Sequence, residues 1–269
     1  NLVVGASIQT NNADIILWSD TDQASSLGGL ITVGGSLSLN SANGSTTSDL
    51  SGGGKVVMGG GADDGANGGA ANDGIPDNYA YTTIDGYSGV SFASNGTAGS
   101  IYSGGGAIII RGQSNATSTY PGVSFGGNLR MDSGVGNISI TGVAATGHGL
   151  EVNYQAGAIY STITSASTAT PAISITGSTS SAGNAAGVQI SYRTNTVIQS
   201  TATTGGGVSI TGTNTGNTYG DVALDGASIL SKSGDVNITA AGTKGIRFGL
   251  NTGNRFNDFG ACDATTCPG

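Results

Sequence analysis

A five-residue pattern recurs at an even spacing along this chain and decides the fold class. Residues 138–142 read Ile-Ser-Ile-Thr-Gly, and the pattern returns at 173–177 and, as Val-Ser-Ile-Thr-Gly, at 208–212, each time 35 residues further on. Looser copies begin at Ile108 and Val236. Alternation of apolar and polar residues over a short run is typical of a half-buried β-strand. The chain therefore repeats a strand at a fixed interval.

Earlier members of the series are expected at residues 31–34 (Ile-Thr-Val-Gly) and 56–59 (Val-Val-Met-Gly). The interval from Val56 to Ile108 is longer than the others because it contains an acidic, glycine-rich stretch, residues 59–78. We interpret that stretch as an insertion loop. Without it, the spacing of the repeat is approximately kept.

Two further short strands are predicted inside each period, beginning at Leu150 and Ile159 in one repeat and at Val188 and Val197 in the next. The individual steps differ between repeats, yet both sum to 35 residues. A closed coil behaves this way, because its loops can exchange length while the return stays fixed, whereas a sandwich requires only that neighbouring strands pair. We therefore expect an all-β parallel β-helix, or β-solenoid, with three short strands per coil. Two coils of about 18 residues per repeat are the alternative.

The solenoid hypothesis assigns a place to each residue of the pattern. Its first and third positions should form two inward stacks of β-branched residues, while the Ser and Thr positions face outward. The closing glycines are expected at a corner, where a positive φ or a close backbone approach favours Gly. The stacks and corners comprise Ile138, Ile173 and Val208, then Ile140, Ile175 and Ile210, then Gly142, Gly177 and Gly212.

Composition excludes several classes of protein. The 269 residues include 50 Gly and 4 Pro without a collagen period, and charged residues make up 9%, against about a quarter in average domains. Sixteen acidic and eight basic residues give a net charge of −8, and the basic residues are scattered, which argues against nucleic-acid binding. The sequence also lacks an apolar run of the length that spans a membrane, so no membrane insertion is predicted.

We predict one solenoid domain over residues 1–250 and an irregular tail or cap over residues 251–269. Cys262 and Cys267 lie in that tail and are expected to form a local disulfide, which favours an oxidising, extracellular setting. Two unpaired thiols or half of a metal site are the alternatives. A tetrahedral zinc site within one chain would lack ligands, because the sequence has no other Cys and only one His.

Residues 10–250 resemble in style segments of very large secreted bacterial repeat proteins, the filamentous-haemagglutinin-like exoproteins and adhesins. The resemblance rests on the Trp18-Ser19-Asp20 run and the glycine-rich block 54–61, followed by an Asp-rich loop and by residues 106–112 (Gly-Ala-Ile-Ile-Ile-Arg-Gly). It implies a right-handed parallel β-helix that is secreted and lies at the cell surface or in an extracellular matrix.

The leading functional hypothesis is a non-catalytic extracellular structural or adhesive protein. The strand pattern starts at Leu2 without a polar cap. We therefore expect a stiff rod that stacks head-to-tail or laterally with copies of itself, or that continues into flanking repeats of a longer chain. Host or matrix glycans are further candidate partners. We predict that the protein is not an enzyme and has no cofactor.

A polysaccharide-active enzyme of the pectinase type is the main alternative. The single histidine lies in Gly147-His148-Gly149, which resembles the histidine motif of polygalacturonase-type hydrolases. Such inverting hydrolases require two carboxylates about 6.5–9.5 Å apart. The acids closest to His148 in sequence are Asp132 and Glu151, and Glu151 is expected to point outward alone from its strand.

Two other surface features suggest ligands. The acidic loop carries oxygen ligands of the kind calcium prefers, although a soluble glycine-rich loop explains the same residues. The outward Ser-x-Thr rows resemble an ice-binding surface, but Asn237 and Arg111 interrupt the array. The calcium candidates are Asp63, Asp64, Asp73 and Asp77.

Overall fold

The computed structural model describes residues 1–20, 29–43, 52–92, 98–152, 160–190, 196–216 and 219–249, and the backbone of residues 258–261. Apart from one 3-10 turn, Ala66–Gly68, its regular structure is β-strand. Within these residues, no helix has the length and apolar character needed to cross a membrane.

The strands are short and follow one another at regular intervals. In chain order they are β1 (Leu2–Val4), β2 (Ile8–Gln9), β3 (Ile15–Ser19), β4 (Ile31–Val33), β5 (Ser38–Asn40), β6 (Val56–Gly60), β7 (Ala80–Tyr81), β8 (Val90–Phe92), β9 (Gly99–Tyr102), β10 (Ile108–Gln113), β11 (Val123–Phe125), β12 (Leu129–Asp132), β13 (Ile138–Ala144), β14 (Leu150–Val152), β15 (Ser161–Ser165), β16 (Ile173–Thr179), β17 (Val188–Ile190), β18 (Thr196–Ser200), β19 (Val208–Asn214), β20 (Val222–Leu224), β21 (Ala227–Ser231), β22 (Val236–Ala240), β23 (Ile246–Phe248) and β24 (Asp258–Ala261).

These strands form three parallel sheets, and the chain visits the sheets in turn. The first sheet has the order β1-β4-β8-β11-β14-β17-β20-β23, and the second has the order β2-β5-β9-β12-β15-β18-β21-β24. The third runs β3-β6-β10-β13-β16-β19-β22, with the short β7 beside β10. Successive strands of one sheet belong to successive coils, which confirms the parallel β-helix with three strands per coil. The 35-residue repeat is therefore one coil, and the two-coil alternative is wrong.

The predicted inward stacks are confirmed residue by residue. Ile138 pairs with Ile173 and then with Val208, and the row extends to Ile108 before them and Val236 after them. The second row contains Ile140, Ile175 and Ile210, all fully buried. Such rows from all three sheets merge into one apolar core that runs along the whole stack.

One early member of the series was placed on the wrong face. Ile31 and its neighbours form β4 in the first sheet, paired with β1 and β8. The strand that continues the Ile138 row is β3, in which Ile15 pairs with Val56. The prediction failed because strands on every face alternate in the same way, so that the pattern alone does not say which sheet a strand joins.

The closing glycines lie inside strands and not at corners. Gly177 is the fifth residue of β16, and the strand continues for two more residues. Its φ is ordinary, but a Cβ there would lie 2.1 Å from the backbone oxygen of Gly187, where the chain enters β17. Gly142 and Gly212 make the same approach to the strand that follows them. Close packing of two sheets, and not a turn, requires these glycines.

The boundaries of two other regions also differ from expectation. Gly59 and Gly60 belong to β6, so the acidic insertion starts after the strand. Residues 258–261 of the tail form β24, which extends the second sheet beside β21. The tail is therefore not wholly irregular. The predicted disulfide of Cys262 and Cys267 lies outside the described residues.

Candidate functional site

A cavity of about 360 Å³ opens on the outer face of the first sheet, beside the predicted histidine motif. Its floor includes outward side chains of β11 and β14, and its wall is the loop from β10 to β11, which overhangs the sheet. It is lined by Thr119, Tyr120, Pro121, Ser124, His148 and Glu151. Small-molecule sites typically measure about 300–1,000 Å³, so the volume suits a small ligand.

The overhanging loop is held by hydrogen bonds to the corresponding loop of the preceding coil. The Asn115 side-chain amide donates to the backbone oxygen of Thr83 at 2.8 Å and to Oδ1 of Asp85 at 3.1 Å. Thr117 Oγ1 donates to the same carboxylate at 2.6 Å. These contacts hold the pKa of Asp85 below its usual value, with the Thr117 bond contributing most. The cavity wall is therefore a braced structure.

The two glycines of the histidine motif have a packing role. A Cβ on Gly147 would lie 2.3 Å from the backbone oxygen of Tyr120, and a Cβ on Gly149 would lie 2.3 Å from the backbone nitrogen of Ser178. Only Gly fits between backbones this close. The resemblance of residues 147–149 to a hydrolase motif therefore has a structural explanation that does not involve catalysis.

Glu151 points outward from β14, as predicted, but it is buried and not alone. Only 6% of the residue is exposed, and no described residue donates a hydrogen bond to its carboxyl group. Burial raises its pKa from 4.5 to about 7, because the charged form loses water without gaining a partner. At neutral pH the chain's single glutamate is thus divided between its acid and carboxylate forms.

His148 lines the same cavity and is held in one tautomer. The backbone N–H of Ala186 donates to Nδ1 at 2.9 Å, so the neutral ring carries its proton on Nε2. Burial lowers the pKa to about 4, because the charged imidazolium form loses water. His148 also meets Tyr219 edge to face, with ring centroids 6.2 Å apart. The imidazole is a neutral hydrogen-bond donor at physiological pH.

Gln189 is a buried polar residue that the sequence did not single out, and it lies next to Glu151 without lining the cavity. It lies directly beside Glu151 in register, on β17, and is 1% exposed. Its Nε2 has no hydrogen-bond partner among the described residues. Buried polar atoms without partners are rare in folded proteins, and each one calls for an explanation. Ser124, Glu151 and Gln189 form one polar row on an otherwise tightly packed sheet.

One aromatic residue stands at the rim of the cavity. Tyr120 lines the cavity and is 45% exposed. Ser118 Oγ donates to the backbone oxygen of Tyr87 at 3.3 Å and so connects the loop of Tyr120 to the loop of the preceding coil. Sequence reasoning missed Tyr120 as a site residue, because only a Tyr-Pro step in a corner loop marks it.

The structure does not bring the two acids near the histidine motif together. Asp132 belongs to β12 in the second sheet, where its carboxylate accepts the backbone N–H of Gly134 and lies 3.9 Å from Arg130. Glu151 belongs to the first sheet. Among the described residues it is the one carboxylate that lines the cavity, whereas an inverting hydrolase uses two.

The acidic insertion uses its carboxylates to brace its own backbone. Asp63 accepts the N–H groups of Asp73 and Gly74, and Asp77 accepts that of Gly65. Arg111 reaches up from β10 to donate to the backbone oxygen of Pro76 at 2.9 Å. The calcium candidates Asp63, Asp64, Asp73 and Asp77 are close in sequence. Within the described residues, however, no three His, Cys, Asp or Glu side chains are grouped to hold a metal.

The outward hydroxyl rows lie on the third sheet in the expected register. Ser139, Ser174 and Ser209 align, with Ile109 in the coil before them and Asn237 in the coil after them. The parallel Thr row begins at Arg111. The regular part of the array therefore covers only a few coils.

Comparison of the chain with protein-family models, with curated proteins and with solved structures finds no match in any of the three.

Proposed function

We propose that this chain is a non-catalytic extracellular structural or adhesive element. It forms a stiff β-solenoid rod that stacks with further coils, either those of a second copy or those of a longer surface fibre. With eight strands in the first and second sheets, the rod is about 34 Å long at the usual strand spacing. Secretion and adhesion are proposed from the resemblance to haemagglutinin-like exoproteins.

The observation that carries the proposal is that side chains of the inward rows are exposed at both ends of the described stack. Leu2 and Ile8 stand in inward rows but are only partly buried, whereas their in-register neighbours Ile31 and Leu39 are fully buried. At the other end, Phe248 stands in the row that buries Phe92 and Phe125, yet it is 52% exposed.

An open coil end favours another coil over other partners. Its strands offer one edge of backbone N–H and C=O groups, as any edge strand does, and its inward rows offer apolar side chains. β1 and β3 each pair with a single strand in the described part of the chain. A further coil would pair with the backbone edge and would cover the apolar side chains at the same strand spacing, because both rows would continue.

The lateral faces also support stacking along the axis of the solenoid. The third sheet turns Ser and Thr rows outward, and the described part contains one ion pair, Arg130 with Asp132. Neutral polar faces avoid the repulsion that stacked like charges would cause at strand spacing. Assembly along the axis is therefore favoured over association through charged sides.

Electron microscopy with light scattering tests this assembly. The intact natural chain should give rods several times longer than one coil stack, and Phe248→Lys should shorten them by placing a charge in the end contact. Tyr160→Lys is the matched control, because Tyr160 is 62% exposed away from the coil ends. Uniform single rods from the natural chain at high concentration would contradict the proposal. Equal effects of the two variants would contradict it as well.

A further inference from the structure

The cavity beside His148 is lined by a carboxyl group that no described residue satisfies. Glu151 is 6% exposed, and no described residue donates a hydrogen bond to its carboxyl group. A buried polar group without a partner is unfavourable, and each one calls for an explanation. The same outward row holds the smaller residues Ser124 and Ala223 in other coils, so the fold itself does not require a carboxyl group at this position.

The donors and acceptors of the site restrict the ligand. His148 offers Nε2–H because Nδ1 is taken by Ala186, and Glu151 offers its carboxyl oxygens. An organic ammonium ligand carries only donors and would leave the imidazole N–H unpaired. A hydroxyl both donates and accepts, so that several hydroxyls on one ring can serve Glu151 and the imidazole together.

The charge of the site restricts the ligand further. No Lys or Arg is among the six lining residues, so a phosphate, a sulfate or a ligand carboxylate would meet no cation. Such anions are normally bound by Arg, Lys or a helix N-terminus. A neutral ligand avoids this cost.

The rim supplies the apolar contact that a neutral polar ligand needs. Tyr120 stands at the mouth with nearly half of its surface exposed, and its loop is braced against the loop that carries Tyr87. The face of an aromatic ring is well suited to pack against the C–H face of a sugar ring. The volume of about 360 Å³ is also in the range of small-molecule sites.

We propose that the cavity lined by Tyr120, His148 and Glu151 binds a neutral sugar ring, which stacks on Tyr120 and hydrogen-bonds to Glu151 and His148. The inference goes beyond the proposed rod. Stacking involves the coil ends, whereas this site lies on a lateral face, so either property can fail while the other holds.

Saturation-transfer NMR and calorimetry on the intact chain test the site. The probes are glucose, galactose, mannose, N-acetylglucosamine and cellobiose at millimolar concentration, with glucuronate and benzylamine as the charged rivals. We expect at least one neutral sugar to bind, and to bind more tightly than either charged probe. No binding by any neutral sugar, or preferred binding of a charged probe, would overturn the inference.

Variants then locate the site. Tyr120→Ala, at the exposed rim, should weaken binding about tenfold, and Tyr160→Ala, at a more exposed tyrosine that does not line the cavity, should leave it unchanged. Glu151→Leu should abolish binding, while Glu151→Gln, which keeps a donor and an acceptor, should retain most of it. Thermal melting of each variant identifies any that fails to fold. Binding that survives Tyr120→Ala unchanged would place the sugar elsewhere and refute the assignment.

Discussion

The backbone N–H of Ala186 donates a hydrogen bond to Nδ1 of His148 across two neighbouring coils. This contact requires an unprotonated Nδ1, so protonation of the ring would break it. The pKa of Glu151, in the same cavity, is shifted in the opposite direction, because burial favours its neutral acid form. The pKa of His148 is about 4 in the folded chain against 6.5 normally, and that of Glu151 is about 7 against 4.5. Their contributions to the pH dependence of stability therefore oppose each other.

Glu151→Gln should remove the contribution of Glu151 to the pH dependence of stability. In the native chain, Glu151 holds its proton more tightly than in the unfolded chain, so its contribution is full below pH 4.5 and is lost as the pH rises to about 7. Gln does not titrate, so the variant does not lose this stability. Its free energy of unfolding, minus that of the native chain, should rise by up to about 3 kcal/mol over that window. Urea unfolding across the pH range measures the difference, and parallel curves would contradict the shifted pKa.

His148→Asn should remove the contribution of His148, which changes with pH in the opposite direction. The native imidazole resists protonation, so it costs stability as the pH falls from 6.5 towards 4, where the unfolded chain takes up the proton. Asn keeps an acceptor for Ala186 but does not titrate. The variant should therefore gain stability relative to the native chain as the pH falls, by no more than about 3 kcal/mol. The same urea series checks this. A stability difference between variant and native chain that grows with rising pH would contradict the lowered pKa of His148.

Ile175→Ala should be far more harmful than Ser174→Ala. Ile175 is fully buried between Ile140 and Ile210, whereas Ser174 faces outward from the same strand. Truncating a buried Ile costs about 2–5 kcal/mol, and a surface change costs within about 0.5 kcal/mol. Urea unfolding at fixed pH compares the two, and equal losses would show that the face assignment of β16 is wrong.

Gly177→Ala should destabilise the fold although its φ is ordinary. The new Cβ would meet the backbone oxygen of Gly187 at 2.1 Å, and neither backbone can move without disturbing its sheet. Overpacking of this kind costs about 1–3 kcal/mol. Gly5→Ala is the control, because nothing lies within 4 Å of its Cβ position and its φ is also ordinary. Thermal unfolding should separate the two, and similar midpoints would count against close packing as the reason for Gly177.

Calcium is expected to leave the melting temperature unchanged. The carboxylates of Asp63 and Asp77 already accept backbone N–H groups of their own loop. A calcium ion needs six to eight oxygen ligands and would have to displace these bonds. Melting in calcium and in EDTA tests this. A rise in calcium that Asp63→Asn removes would revive the calcium hypothesis for the insertion.

The stacked rows were predictable because they rest on two local facts, the alternation of apolar residues and a constant return of 35 residues. Ile138, Ile173 and Val208 carry both signals and fall in register. Ile31 carries only the first, and alternation looks alike on all three faces, so its sheet was not predictable. The role of Gly177 depends on where Gly187 passes, and that path is set by the length of the loop between them.

The candidate site was only partly predictable for the same reason. His148 was found because it is the single histidine, and Glu151 because it is the single glutamate. Their burial depends on the loop that carries Tyr120, which belongs to the preceding coil. A site assembled from two coils has no signature within any short stretch of sequence.

The exact return of β13, β16 and β19 means that this molecule can change length only in whole steps. Residue 143 and residue 178 occupy equivalent positions in adjacent coils, so removal of residues 143–177 would join two strands in frame. Every remaining coil would keep its neighbours, and the rod would shorten by about 4.8 Å. Loss of an odd number of residues within one strand would instead shift an inward row to the surface. The coil is therefore the natural unit in which such a chain gains or loses sequence.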